Sequence, residues 1–457
     1  MNREKHFHPL AALHLLRKTL LVYLLPLVQV LFDRNWDALR AALRQDLVLL
    51  VLISLVCWAV YYGGRWQVDA EGTVHVSWRL GVRLDRALRA EGLAALVLEQ
   101  PLVYRLTGAC RVVLYPVGQT KTITLYLTRQ QAEELADVLL PVTEPLWHAP
   151  KGGEKLAFTV LGANGLSTLF LWWLAIHQTQ SYAPDAQTAA LAQLGQLAAF
   201  AARWLPLGMA WLLVLAGTLF CISLVRSALQ AVHYTVWRTD TQLGSRGGWL
   251  EHFECRVRTS EISFADVRIS PAARLMKRWP VFVTAGGCSP ELPLFVYRSG
   301  EEALFRELLP EFRMPPDTRH DLTHRSAVFF APAGIPFGLC LLLVLVSRSV
   351  LPALTGTLLI PTAVFAVFLA GGLMGWLKEG IWLREGRFTL RRQKGVYLHC
   401  ICVFHPDVCL RTFQSPWAAR YQRMTLTLAL PGQVRLKVRS IPVRDAAPCL
   451  NALEQKT

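Results

Sequence analysis

Two kinds of cluster in this chain hold residues able to do chemistry. The first is His399-Cys400-Ile401-Cys402-Val403-Phe404-His405 with Cys409 just beyond, and thiolates and imidazoles are the usual ligands of zinc. On a strand, however, Cys400 and Cys402 share one face while His399 points to the other. A structural zinc site draws on two turns, and no second ligand pair stands nearby. The spacing therefore favours a strand whose small thiols face a core, with no metal and no cofactor. The second cluster is basic: Arg274, Lys277 and Arg278, then Arg387, Arg391, Arg392 and Lys394. Beside an anionic leaflet each such charge gains on the order of 1 kcal/mol, so contact with anionic lipid is the expected chemistry.

Bond-making chemistry has little to stand on. The chain contains no Gly-x-Ser-x-Gly elbow, no phosphate-binding loop ending in Lys-Ser/Thr and no His-Glu-x-x-His. Glu251, Glu254 and Glu261 alternate with arginines and read as solvated. Three arginines, Arg105, Arg274 and Arg420, recur in a similar setting. In the last turn of a short helix each would stabilise the carbonyl end of the dipole, which is a structural role. The expectation is a protein that is not an enzyme.

The elements that must carry these residues are largely membranous. Of 457 residues 53% are hydrophobic and 18% charged, too apolar for an ordinary soluble protein. Apolar runs pair off as Leu20 to Phe32 with Leu47 to Tyr62, Leu156 to Ile176 with Trp204 to Val225, and Val328 to Val346 with Leu354 to Leu377. Six spans in three hairpins result, with the charged start of the chain read as leading into an uncleaved first helix. The hairpin tips hold only five of the 48 Lys and Arg, so the termini and the three long intervals are expected on the cytoplasmic side. Spread over three intervals, the net charge of +16 forms no stripe for nucleic acid. Ten cysteines without paired spacing fit a reducing compartment. Residues 182–202, almost uncharged, read as a helix outside the membrane near the interface.

The three intervals repeat one pattern. An aromatic residue (Trp66, Tyr234, Trp382) follows each returning span, and a glycine turn comes next at Gly81, Gly248 and Gly395. The proline of Gln100-Pro101, Ser270-Pro271 or Ser415-Pro416 then follows after 20, 23 and 21 residues. Each block reads as a cap, a proline at the first helical position and a short helix before a strand. Alternating strands follow, and each interval closes with a helix: Thr128 to Gln131 and Ser299 to Glu302 are capping boxes, and Asp445 caps the third, with Pro448 in its first turn. The fold class is thus mixed membrane α plus small α+β. Its expected parts are a hairpin at 1–63, a domain at 64–150, a hairpin at 151–228, a domain at 229–320, a hairpin at 321–378 and a domain at 379–457, each domain a small sheet with one helix over it.

This succession resembles the bacterial pleckstrin-homology-like membrane proteins of the YdbS/YdbT type, most closely the longer member. His8-Pro9-Leu10, then Arg17-Lys18 and Pro26, are similar to that family's N-terminal signature. The resemblance implies six transmembrane helices in a bacterial plasma membrane, three cytoplasmic PH-like domains and no enzymatic activity. It also implies pairing with a smaller, single-unit homologous membrane protein and a role in envelope defence against antimicrobial compounds. The chain departs from the pattern at Lys277-Arg278-Trp279-Pro280, which stands where the first interval has Thr107-Gly108-Ala109. Two other functions stay open: a lipid or small-amphiphile transporter using the spans, and a sensor of anionic lipid.

Overall fold

The computed structural model describes residues 4–11, 51–162, 184–404, 408–430 and 434–454, less positions 53, 57, 60, 70–71, 81, 120, 291, 299 and 301–302. After β1 (Lys5–His6), the first interval runs β2 (Gly64–Val68), β3 (Val74–Leu80), β4 (Val82–Leu88), β5 (Leu93–Gln100), α1 (Leu102–Thr107), β6 (Ala109–Pro116), β7 (Ile123–Thr128) and α2 (Arg129–Leu139). After β8 (Leu146–His148), α3 (Gly152–Gly162), α4 (Pro184–Ala201) and α5 (Leu207–Ala231), the second interval repeats the series. Its elements are β9 (Thr235–Arg238), β10 (Gln242–Gly247), β11 (His252–Arg258), β12 (Ile262–Ile269), α6 (Pro271–Met276), β13 (Arg278–Ala285), β14 (Phe295–Arg298) and α7 (Ala303–Leu308). The third follows α8 (Ser326–Val350) and α9 (Pro352–Lys378) with β15 (Gly380–Arg384), β16 (Arg387–Lys394), β17 (Tyr397–Val403), β18 (Cys409–Phe413), α10 (Pro416–Arg420), β19 (Arg423–Leu430), β20 (Val434–Pro442) and α11 (Val443–Glu454).

Local chemistry sets these breaks. The Ser270 and Ser415 hydroxyls accept from the amides of Ala273 and Ala418, with Pro271 and Pro416 at the first helical position. In the first copy Pro101 takes the cap position without a side-chain bond. Gln100 does something else: its amide donates to the Ala109 carbonyl at 3.0 Å, and Gln414 donates to Arg423 in the same way at 3.0 Å. Each short helix is followed by a residue in the left-handed region: Gly108 at φ 71°, Lys277 at 51° and Gln422 at 50°. The departure at Lys277 therefore keeps the conformation of the glycine it replaces. Thr128 and Gln131 form the expected capping box, whereas Ser299 and Glu302 of the corresponding one lie outside the described residues.

The expectation of one small sheet per interval is corrected. Within each interval the first three strands and the last three belong to different sheets, with a core between them. In the first interval Trp66 and Val74 meet Leu96, Val112 and Leu125 there, closed by Leu135 of α2. The second half of one interval continues edge to edge into the first half of the next: β7-β6-β5-β11-β10-β9-β8 forms seven strands and β14-β13-β12-β17-β16-β15 six. The two junctions share one register. Ala95 faces Val257 and Gln100 faces His252 in one, while Phe264 faces Val403 and Ile269 faces Leu398 in the other. Period-two alternation shows the faces of a strand but not its lateral neighbour, which is why the sequence did not disclose the sharing.

Among the described residues three helices, α5, α8 and α9, are long and apolar enough to cross a membrane, which supports a membrane protein. With 25, 25 and 27 residues each exceeds the ~20 residues needed for about 30 Å of hydrocarbon. Small residues let the last two approach: a side chain on Gly372 would sit 2.7 Å from the Phe329 carbonyl. The run Leu20 to Phe32 and much of Leu156 to Ile176 lie outside the described residues. The closing helix α11 starts at Val443, so Asp445 is in its first turn and Pro448 further inside, not the cap and first turn expected. The Asp445 carboxylate is instead held by His320 Nδ1 at 2.8 Å.

Candidate functional site

A cleft of about 460 Å³ opens where the first junction meets the end of α5. Its floor is apolar, from Val97, Tyr115, Tyr234 and Phe253. The rim is charged but internally matched: Arg111 bonds Glu99 at 2.8 Å, and Glu251 takes Arg226 at 3.5 Å and Gln230 at 3.2 Å. Arg226 and Gln230 belong to the last turns of α5, so the cleft lies at the end of a membrane span. Glu251 and Glu254, read from the sequence as solvated, are both engaged, Glu254 with Arg256 at 2.7 Å. Burial pushes the Tyr115 and Tyr234 hydroxyls up, and a bond with Cys288 together with burial pushes the Cys255 thiol up. Protonated thiols and phenols are poor nucleophiles.

Across the first junction, Arg256 of β11 reaches the end of α2. Its guanidinium donates to Asp137 and to the Leu140 carbonyl, both at 2.8 Å. Arg258 closes the corner by donating to the carbonyls of Ala90 at 2.8 Å and Leu93 at 3.2 Å. The second junction uses Asp266, which holds Arg268 at 3.0 Å and His399 at 2.8 Å.

The base of the last hairpin is a buried charge cluster that the sequence reading missed. Glu379 caps the C-terminal end of α9, and Arg439 on β20 donates to it from backbone and side chain at 2.7 to 3.3 Å. Arg325, fully buried before α8, donates to the carbonyls of Gly375 at 3.3 Å and Glu379 at 3.1 Å. Both guanidiniums lie over the Phe329 ring, at 4.7 and 4.4 Å. Burial lowers the Arg325 guanidinium to about 10, partly offset by the Glu379 charge. A signal was present: Arg325 and Glu379 flank the apolar stretch of hairpin three with opposite charges.

The basic residues singled out from the sequence separate in space. Arg274 and Lys277 are exposed on and after α6, and Arg274 reaches Met374 of α9 at 3.7 Å. Arg278 is partly buried near Glu154, at 4.0 Å. Arg391 is buried, bonded to Asp317 at 2.8 Å and to the Pro315 carbonyl at 3.2 Å, and is therefore a structural tie. Arg387 lies over Phe404 at 5.5 Å, while Arg392 is partly buried and Lys394 exposed. Lys394 precedes Gly395, whose carbonyl packs against Gly371 of α9. Of the recurring arginines, Arg105 donates to the Trp249 carbonyl of the second interval at 2.8 Å, and Arg420 is exposed. Cys400 and Cys402 face the core while His399 turns to Asp266, and His405 lies outside the described residues.

No family model, no curated protein and no solved structure matches the chain.

Proposed function

We propose that this protein is a non-enzymatic, multi-pass membrane scaffold. In this reading six transmembrane helices form three hairpins in a bacterial plasma membrane. Each is followed by a cytoplasmic PH-like unit, as the resemblance to the YdbS/YdbT-type family implies, and the assembly pairs with a smaller, single-unit homologous protein. The carrying observation is the edge-to-edge continuity of the units, β5 with β11 and β12 with β17 in one register. Sheets shared in this way require all three intervals on one side of the membrane, and hairpins between them satisfy that requirement. Copurification in mild detergent tests the reading: a smaller membrane protein carrying one such unit should come out with the chain at fixed stoichiometry. Recovery of the chain alone under conditions that keep it folded contradicts it.

Anionic-lipid contact is a second reading, favoured by the connecting helices. Leu106 on α1, Leu275 on α6 and Trp417 on α10 are 79%, 86% and 73% exposed, and Arg274 beside Leu275 touches the span α9. Apolar side chains next to cations at a span's end are suited to the headgroup layer. Replacing Leu106, Leu275 and Trp417 by Ser should weaken capture of the protein's polar face by vesicles containing phosphatidylserine in a nanodisc-to-vesicle bridging assay. Unchanged bridging would remove this reading. Transport of an amphiphile is the remaining alternative, which flux into proteoliposomes would reveal.

A further inference from the structure

The two internal junctions leave two matching edges at the ends of the row. The third strand of each unit's first half joins the preceding unit in β11 and β17; its counterpart in the first unit is β4, which among the described residues pairs only with β3. The first strand of each unit's second half joins the following unit in β5 and β12; its counterpart in the third unit is β18, which among the described residues pairs only with β19. Burial follows this pattern. β5 and β12 are almost wholly buried, whereas Cys409, Arg411, Thr412 and Phe413 of β18 are exposed, Phe413 by 67%. Arg258 closes the first junction, while Arg89, at the same place in the first unit, is exposed. An open strand edge is a template for pairing, and these two have the form of the halves of the junction that the chain makes twice internally.

The repeated register says which residues would meet. Carried from the internal junctions to β4 and β18, it sets Leu88 opposite Cys409, Leu84 opposite Phe413 and Arg86 opposite Arg411. The positions equivalent to that last pair are Cys255 with Val97 and Ile401 with Asp266, neither of which opposes like charges. Two arginines directly opposite destabilise a pair of strands, and charges on edges are a common device against self-pairing. Both arginines are exposed.

We propose that the β4 and β18 edges dock a two-sheet unit of the same kind from a different protein, and that its docking strand presents a carboxylate opposite Arg86 or Arg411. A second copy of this chain is excluded from the same edges by the Arg86 to Arg411 opposition. The proposal rests on the scaffold reading and adds the surface and the charge of the partner.

Charge reversal in the purified full-length protein tests it without the partner in hand. Wild type should stay a single copy in detergent. R411E and R86E should each self-associate head to tail, about tenfold more tightly than wild type, because one acidic edge then faces one basic edge. R86E/R411E, with two acidic edges, should return to single copies, which also shows that the substituted chains fold. In the R411E background, Asp85→Cys with Thr412→Cys should form an intermolecular disulfide, since the register makes those positions neighbours. Wild type associating through these strands, or single reversals that associate no more than wild type, would overturn the proposal. A smaller protein that copurifies equally well with wild type and R411E/R86E overturns these edges and leaves the scaffold standing; failure of any protein to copurify removes the scaffold reading, and with it the partner named here.

Discussion

Arg439 holds Glu379 across 60 residues of sequence, its backbone amide at 2.7 Å and its guanidinium at 3.1 and 3.3 Å from the carboxylate. Glu379 is the cap that ends the last membrane helix, and its side chain is fully buried. It is the carboxylate that faces both Arg439 and the buried Arg325. Glu379→Gln should therefore strand two cations, costing about 3–5 kcal/mol. A large loss of thermal stability in detergent checks this, and a shift no greater than that of an exposed Glu→Gln control would refute it.

Lys277 and Gln422 occupy the left-handed conformation that Gly108 adopts in the first copy. A side chain there costs about 1 kcal/mol or more, since Cβ crowds the following carbonyl. Lys277→Gly and Gln422→Gly should each stabilise the protein by about 1 kcal/mol, and Gly108→Ala should destabilise it by a similar amount. Space does not interfere with the last test, because nothing lies within 4 Å of a Cβ built on Gly108. Denaturation midpoints of the three variants decide it.

Arg256 ties the first junction through Asp137, the Leu140 carbonyl and Glu254. Replacing it with Met keeps the stem but leaves the mostly buried Glu254 without its cation, at a cost of about 3 kcal/mol. Arg256→Met combined with Glu254→Gln should recover part of the loss. A double-mutant cycle with no coupling between the two would contradict the assignment.

Burial, then the charge of Arg129, holds the His252 imidazole below its ordinary value of 6.5, with Glu254 acting in the opposite sense and Arg246 in the same one. Because the folded value is depressed, the contribution to stability is complete above pH 6.5. It is lost as the pH falls from there through the folded value, where the unfolded chain takes a proton the folded chain resists. His252→Gln should flatten this acid limb while leaving stability near neutral pH little changed. An acid limb of the same steepness in the variant would show that another group is responsible.

The elements within each unit were legible because they rest on local chemistry. Ser270 and Ser415 cap, Gly248 and Gly395 turn at positive φ, and Thr128 with Gln131 closes a capping box. The joining of units was not legible, since β5 and β11 pair residues more than 150 positions apart, from Gln100 with His252 to Ala95 with Val257. One trace of it stands in the sequence: Leu93 to Leu98 is an unbroken apolar run, as expected of a strand covered on both faces. Arg391 was read as a lipid contact because charge alone does not show that Asp317 and the Pro315 carbonyl wait beside it. Arg325, Glu379 and Arg439 come from three separate segments, and only the fold brings them together.

The proposed scaffold requires its three sheet-sharing units to lie on one, cytoplasmic, side of the membrane. Reporter fusions that are active only outside the cytoplasm measure this directly. A fusion after Tyr182, which the proposed topology places outside the cytoplasm, should be active, and fusions after Leu140 and Gly300 should both be inactive. Activity after Leu140 or Gly300, or silence after Tyr182 in a stably inserted fusion, would contradict it.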